Sequence, residues 1–84
     1  MRLQKIRTTI STPEQLSAIT KKVEKLGIMC FIPKKNSNEI KFVVIINGVL
    51  CAFTATEFSE KEFENQFFMF DEVDPDFIIG MNTD

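Results

Sequence analysis

The side chains of this chain that could do chemistry are carboxylates, lysines and two thiols, because histidine is absent. Glu57, Glu60, Glu62, Glu64, Asp71, Glu72, Asp74 and Asp76 crowd into residues 57–76, interleaved with phenylalanines and Val73. Such a surface approximates nucleic-acid phosphates and can occupy a basic groove on another protein, with apolar residues as anchors. The same carboxylates also make a plain solubilising surface. Calcium loops need a closer-spaced set of oxygen ligands and a glycine at the sharp turn. Asp71, Glu72, Asp74 and Asp76 offer neither, so they read as a solvated acidic loop that starts a helix, and no metal is expected.

Catalysis finds little support. Without histidine the commonest general base and metal ligand is missing. Neither Cys30 nor Cys51 has the cationic or helix-start setting that makes a thiol nucleophilic. Gly27, Gly48 and Gly80 are the only glycines, and each is explained by a cap or a turn, so there is no phosphate-cradling loop. The expectation is a protein that is not an enzyme and carries no cofactor. Both cysteines lie in apolar strand-like runs without paired spacing. They read as reduced core residues of a cytoplasmic protein.

The formal net charge of −2 conceals an asymmetry. Residues 1–56 hold nine Lys and Arg against three Glu, whereas residues 57–84 hold nine Asp and Glu against one Lys. The chain is a charge dipole in sequence. Lys5, Arg7, Lys21, Lys22, Lys25, Lys34 and Lys35 make up most of the basic part.

These groups must be positioned by one α+β domain spanning residues 1–84. A chain of this length buries about 60–65% of its extended surface. No apolar run approaches the roughly 20 residues of a membrane span, and the first residues lack the apolar block of a signal peptide. Asn47-Gly48 between two apolar runs is the strongest local signal, a hairpin over Ile40–Thr56. Alternation puts Ile40, Phe42, Val44, Ile46, Val49, Cys51, Phe53 and Ala55 on one wholly apolar side, which must be core. The other side carries Lys41, Val43, Ile45, Leu50, Ala52, Thr54 and Thr56.

Leu3 to Ile10 reads as a first strand, with Ile6 and Ile10 inward and Lys5 and Arg7 on the opposite face. Thr12, Pro13 and Gln15 form a helix start with a capping box, Leu16, Ile19, Val23 and Leu26 make the buried stripe, and Gly27 closes the helix. Ile28 to Ile32 is a strand too uniformly apolar to orient, and Pro33 marks its far end as an edge or bend. Ser59 with Glu62 predicts a second capping box, and Phe58 with Phe63 a hydrophobic staple. Phe63, Phe67 and Phe70 line that helix, widened by Phe68 and Met69. Asp74-Pro75 starts a short C-terminal element through Phe77, Ile78 and Ile79. The expected fold is a mainly antiparallel four-stranded sheet, order β-α-β-β-β-α plus a short C-terminal element, with helices on one face, the side of Phe42 and Phe53.

The helix-strand-strand-strand-helix order from Thr12 to Phe70 is similar to that of a double-stranded-RNA-binding domain. That family needs a basic start to its last helix, whereas this one begins Ser59-Glu60-Lys61-Glu62, which would repel phosphates. Direct nucleic-acid binding is therefore not expected. The small size and the Phe/Ile/Lys/Asn-rich composition resemble the short accessory proteins that phage and mobile elements encode.

The leading expectation is a non-catalytic module, of the viral inhibitor type, that binds a nucleic-acid-handling protein. Glu57, Glu60, Glu64, Asp71, Glu72, Asp74 and Asp76 would steer the encounter, and Phe68, Met69 and Val73 would anchor it. The alternative is a homodimer joined through the apolar sheet face of Val43, Ile45, Leu50 and Ala52, holding a small anion near Lys5 and Arg7. Weak nucleic-acid binding by the basic half is a third reading.

Overall fold

Asn47-Gly48 joins β3 (Ile40–Ile46) to β4 (Val49–Thr54). Asn47 has φ 51° and Gly48 φ 82°, the two positive angles that a type I′ turn requires. The register follows from that turn: Ile46 faces Val49, Ile45 faces Leu50, Val44 faces Cys51, Val43 faces Ala52 and Phe42 faces Phe53. The regular ladder stops there. Ile40 pairs with Thr54, so Lys41 is one residue too many against β4, a bulge that reverses the alternation. Ile40 therefore joins the cluster of Val43 and Ile45 rather than that of Phe42, and Ala55 is exposed. Strict alternation through Ile40 and Ala55 fails because the extra residue turns the strand over.

The computed structural model describes residues 5–33 and 37–81. The expected strand start at Leu3, the turn residues Lys34, Lys35 and Asn36, and the tail from Asn82 lie outside them. Among the described residues the sheet has five strands in the order β2-β4-β3-β1-β5, with β1 at Lys5–Thr9, β2 at Met29–Phe31 and β5 at Asp71–Glu72. β1 is antiparallel to β3, placing Ile6 opposite Ile45 and Thr8 opposite Val43. β2 runs parallel to β4, and β5 parallel to β1. The sheet is thus mixed and five-stranded rather than a four-stranded antiparallel meander. β1 takes the free side of β3, so β2 has only β4 left to pair with. β1, its crossover helix and β2 form a split βαβ unit with the hairpin inserted between the strands.

Among the described residues, three α-helices complete the fold. α1 (Pro13–Lys25) is capped by Thr12, whose Oγ1 accepts the Gln15 N–H at 3.2 Å. The Gln15 side chain accepts from the Ser11 N–H at 2.7 Å, one residue short of the reciprocal box. The helix ends in a Schellman motif: Gly27 at φ 82° donates to Glu24 O at 3.1 Å, and Ile28 donates to Val23 O at 3.0 Å. α2 (Glu60–Gln66) has the full capping box, with Glu62 N–H on Ser59 Oγ at 3.1 Å and Ser59 N–H on Glu62 Oε1 at 2.9 Å. Phe58 and Phe63 meet as the staple, their ring centroids 6.3 Å apart. α3 (Pro75–Ile79) is the short C-terminal element.

The helices lie on both faces. α1 buries Leu16, Ile19 and Val23 against Ile6, Val43, Ile45, Leu50 and Ala52, and Ile78 of α3 joins the same cluster. Each of the valine, leucine and isoleucine side chains contributes about 1.5–3 kcal/mol on burial. α2 covers the other face, where Phe63 stacks on Phe42 with centroids 4.4 Å apart and planes at 21°. Phe53, Phe58, Phe67 and Phe70 surround that pair. The face read as uncovered is therefore the larger core. Val43, Ile45 and Leu50 have no exposed surface at all, and Ala52 is buried with them. They cannot form an oligomer face, because α1 crosses it to connect β1 with β2.

Candidate functional surface

β5 carries the acidic part of the chain onto the basic first strand. Ile6 pairs with Asp71 and Arg7 with Glu72. Arg7 Nη1 donates to Glu72 Oε2 at 3.3 Å, and the Arg7 side chain is only 14% exposed. Among the described residues, its Nε is buried without a hydrogen-bond partner, as is Thr8 Oγ1. The proposed anion site at Lys5 and Arg7 is therefore half occupied by the protein's own carboxylate. Lys5 remains exposed. Lys22 is also engaged, its Nζ donating to the Met81 carbonyl at 2.6 Å.

The acidic run does not form one continuous surface. Glu60 and Glu64 are exposed on α2, while Asp76 lies in α3 and Asp74 precedes it, on the opposite side of the sheet. The two groups meet only along the β5 border, at Asp71 and Glu72. Glu57 is occupied structurally: its Oε1 accepts the Thr54 N–H at 2.9 Å and the Thr54 hydroxyl at 3.1 Å. Glu62 is committed to the α2 cap. The Ser59 backbone N–H, and then the Ser59 hydroxyl, hold its carboxyl below the usual range. Among the described residues, no three cysteine, aspartate or glutamate side chains converge as metal ligands would.

The apolar anchors divide in the same way. Val73 is half-buried against the α1-side core, and its N–H donates to Arg7 O at 3.0 Å, so it is not a free anchor. Phe68 and Met69 stand out at 70% and 73% exposure. The turn that bears them is held at both ends. Phe67 N–H bonds Phe63 O and Phe70 N–H bonds Phe67 O, each at 3.0 Å, and the Phe67 and Phe70 rings sit 5.2 Å apart in an edge-to-face pair. The helical stripe ends at Gln66, which is why Phe68 and Met69 project outward rather than widening the buried face.

A second exposed apolar pair was not legible in the sequence as such. Met29 and Phe31 are 62% and 57% exposed on β2, an edge strand. They pair with Val49 and Cys51, on the α2 face, while Cys30 packs toward α1. Pro33 marks only the far end of this segment, as an edge or a bend, and a run apolar at every position hides which side is wet. Cys30 and Cys51 are free thiols on opposite faces. Burial, and secondarily the Glu24 carboxylate, raise the Cys30 thiol above its ordinary value.

Among the described residues no helix is long and apolar enough to cross a membrane. Comparison of the chain with protein-family models, with curated proteins and with solved structures finds no match.

Proposed function

We propose that this chain is a non-catalytic protein-binding module that docks through the Phe68–Met69 turn and the acidic β5 border. The partner would present an apolar pocket rimmed by lysine or arginine, as the nucleic-acid groove of another protein does, and occupation of that groove would inhibit it. A single observation carries this reading. Two consecutive large apolar side chains are held in water at 70% and 73% exposure by a turn whose neighbours Phe67 and Phe70 are anchored in the aromatic core. Side chains held in place before binding lose less entropy on association, which favours them as anchors. Glu64 on α2 and Asp71 on the β5 border, both exposed, supply steering. A cytoplasmic setting belongs to the proposal and is supported by the two unpaired cysteines.

The homodimer reading has lost its surface to α1 and α3, and the anion reading has lost Arg7 to Glu72. Affinity capture from the source cells, with mass-spectrometric identification, tests the proposal by comparing variants. Phe68→Ser with Met69→Ser should remove the captured partner, and Glu64→Lys with Asp71→Lys should weaken capture. Asp76→Lys, on the opposite face, should leave it unchanged. Equal capture by all of them would rule out this surface.

A further inference from the structure

We infer that Met69 is a reversible oxidation site, and that its conversion to the sulfoxide by hydrogen peroxide switches off docking through the Phe68–Met69 turn. The inference rests on the docking surface proposed above and adds its regulation.

Three observations carry it. The first is access. At 73% exposure, Met69 is the most exposed large apolar side chain among the described residues. Phe67 and Phe70 pack into the aromatic core on either side of the turn, and the two positions between them are left to water. A thioether held there meets any small oxidant dissolved in that water.

The second observation is the chemistry of the anchor itself. The ring of Phe68 is inert to peroxide, whereas the Met69 sulfur offers a lone pair. That lone pair attacks one peroxide oxygen, and the S–O bond forms as the O–O bond breaks. The sulfur gives up two electrons, and the second oxygen leaves with both protons as water. The product is a polar, chiral sulfoxide in place of a flexible apolar side chain. Carried into an apolar pocket, its oxygen would lose water without gaining a hydrogen-bond partner. Sulfoxide reductases, one for each epimer, reverse the change: two thiols become a disulfide and the oxygen leaves as water.

The third observation is the contrast with the other sulfur atoms of the described chain. Met81 is half-buried against the α1-side core, and Cys30 and Cys51 are half-buried as well. Met29 is 62% exposed, but it lies on β2, at the opposite border of the sheet from β5. It should oxidise readily without touching the docking turn. Met69 alone combines an open sulfur with a place in the anchor. The exposed Asp71, two residues along, and Glu64 on α2 repel anionic oxidants and leave uncharged peroxide unhindered.

The test treats the purified full chain with hydrogen peroxide and follows each methionine by peptide mass spectrometry. Met69 and Met29 are expected to gain oxygen at comparable rates and Met81 several times more slowly, with the thermal melt unchanged. Affinity capture then compares the chain before and after peroxide, scoring the protein that the parent retains and the Phe68→Ser, Met69→Ser chain loses. Its retention should fall roughly tenfold on oxidation, as for the loss of one anchor, and return after treatment with both sulfoxide reductases. Dithiothreitol, which reduces oxidised thiols but not sulfoxides, should not restore it. Met69→Leu should make retention indifferent to peroxide whatever its starting level, whereas Met29→Leu should leave the sensitivity in place. Oxidation of Met69 no faster than that of Met81, a lowered melt, recovery with dithiothreitol, or peroxide sensitivity in Met69→Leu would overturn the inference. Full retention by the oxidised parent beside loss by the double variant overturns the inference alone. Equal retention by the double variant overturns the docking surface itself, and the inference with it.

Discussion

The guanidinium of Arg7 lies 3.3 Å from the carboxylate of Glu72, across a separation of 65 residues. This contact folds the acidic end of the chain onto its basic beginning, so the dipole visible in the sequence is partly closed in space. Because the Glu72 side chain is 64% exposed, solvent screens the pair. A double-mutant cycle between Arg7→Ala and Glu72→Ala should give a coupling below about 1 kcal/mol that shrinks further in added salt. Arg7→Ala alone should cost more than Glu72→Ala, since the buried Arg7 stem also loses packing. Equal single costs would place the whole effect in the charge pair.

Ile45 and Phe68 make a second comparison. Ile45 is sealed beneath α1 and α3, and Ile45→Ala is expected to destabilise the fold by about 2–5 kcal/mol in denaturant unfolding. Phe68 is in water, and Phe68→Ser should stay within about 0.5 kcal/mol of the parent. A small loss for Ile45→Ala with a large change in sedimentation behaviour would restore the sheet face as an association surface.

The capping box of α2 has a pH signature. Glu62 is held below its ordinary value of 4.5, chiefly by the Ser59 N–H. A carboxyl with a depressed folded pKa stabilises the fold fully above its unfolded pKa, and that contribution disappears as pH falls through the folded value. Thermal melts taken from neutral pH into acid should therefore decline less steeply for Glu62→Gln than for the parent. Identical acid limbs would show that the cap does not contribute through its charge.

Cys30 offers a chemical readout of its surroundings. Its thiol is raised by burial first and by Glu24 second. Alkylation by iodoacetamide, resolved by peptide mass spectrometry, should follow a pH profile displaced upward from that of an unhindered thiol. Glu24→Gln should bring the profile part of the way back, because the burial remains. A full return would make the charge the larger cause.

The features legible in the sequence were those decided by neighbours along the chain. Asn47-Gly48 set the hairpin and its register, since the turn needs two positive φ angles that those residues tolerate. Ser59 with Glu62, Thr12 with Pro13, and Gly27 located the helix ends by satisfying nearby main-chain groups. What failed were inferences about sides and neighbours. The bulge at Lys41 turned Ile40 over, and a single extra residue leaves no compositional trace. β2 joined β4 instead of β3, because the side of β3 it would have used was taken by β1.

The candidate surfaces divide along the same line. The carboxylate count, the phenylalanine content and the absence of histidine belong to the sequence alone. Which carboxylates are free was decided by tertiary contacts: Glu57 caps its own turn, Glu72 holds Arg7, and Asp76 lies on the far face from Glu64. The apolar face of Val43, Ile45, Leu50 and Ala52 was recognisable as a surface that must be covered. Its cover proved to be α1 and α3 of the same chain, because a helix joining parallel strands must cross one face of the sheet between them. Among the described residues, exposure then fell to Phe68 and Met69 beyond the end of α2, to Met29 and Phe31 on the outermost strand and, less fully, to Phe77 on the outer side of α3, because the helices turn their apolar stripes to the sheet and leave these positions uncovered.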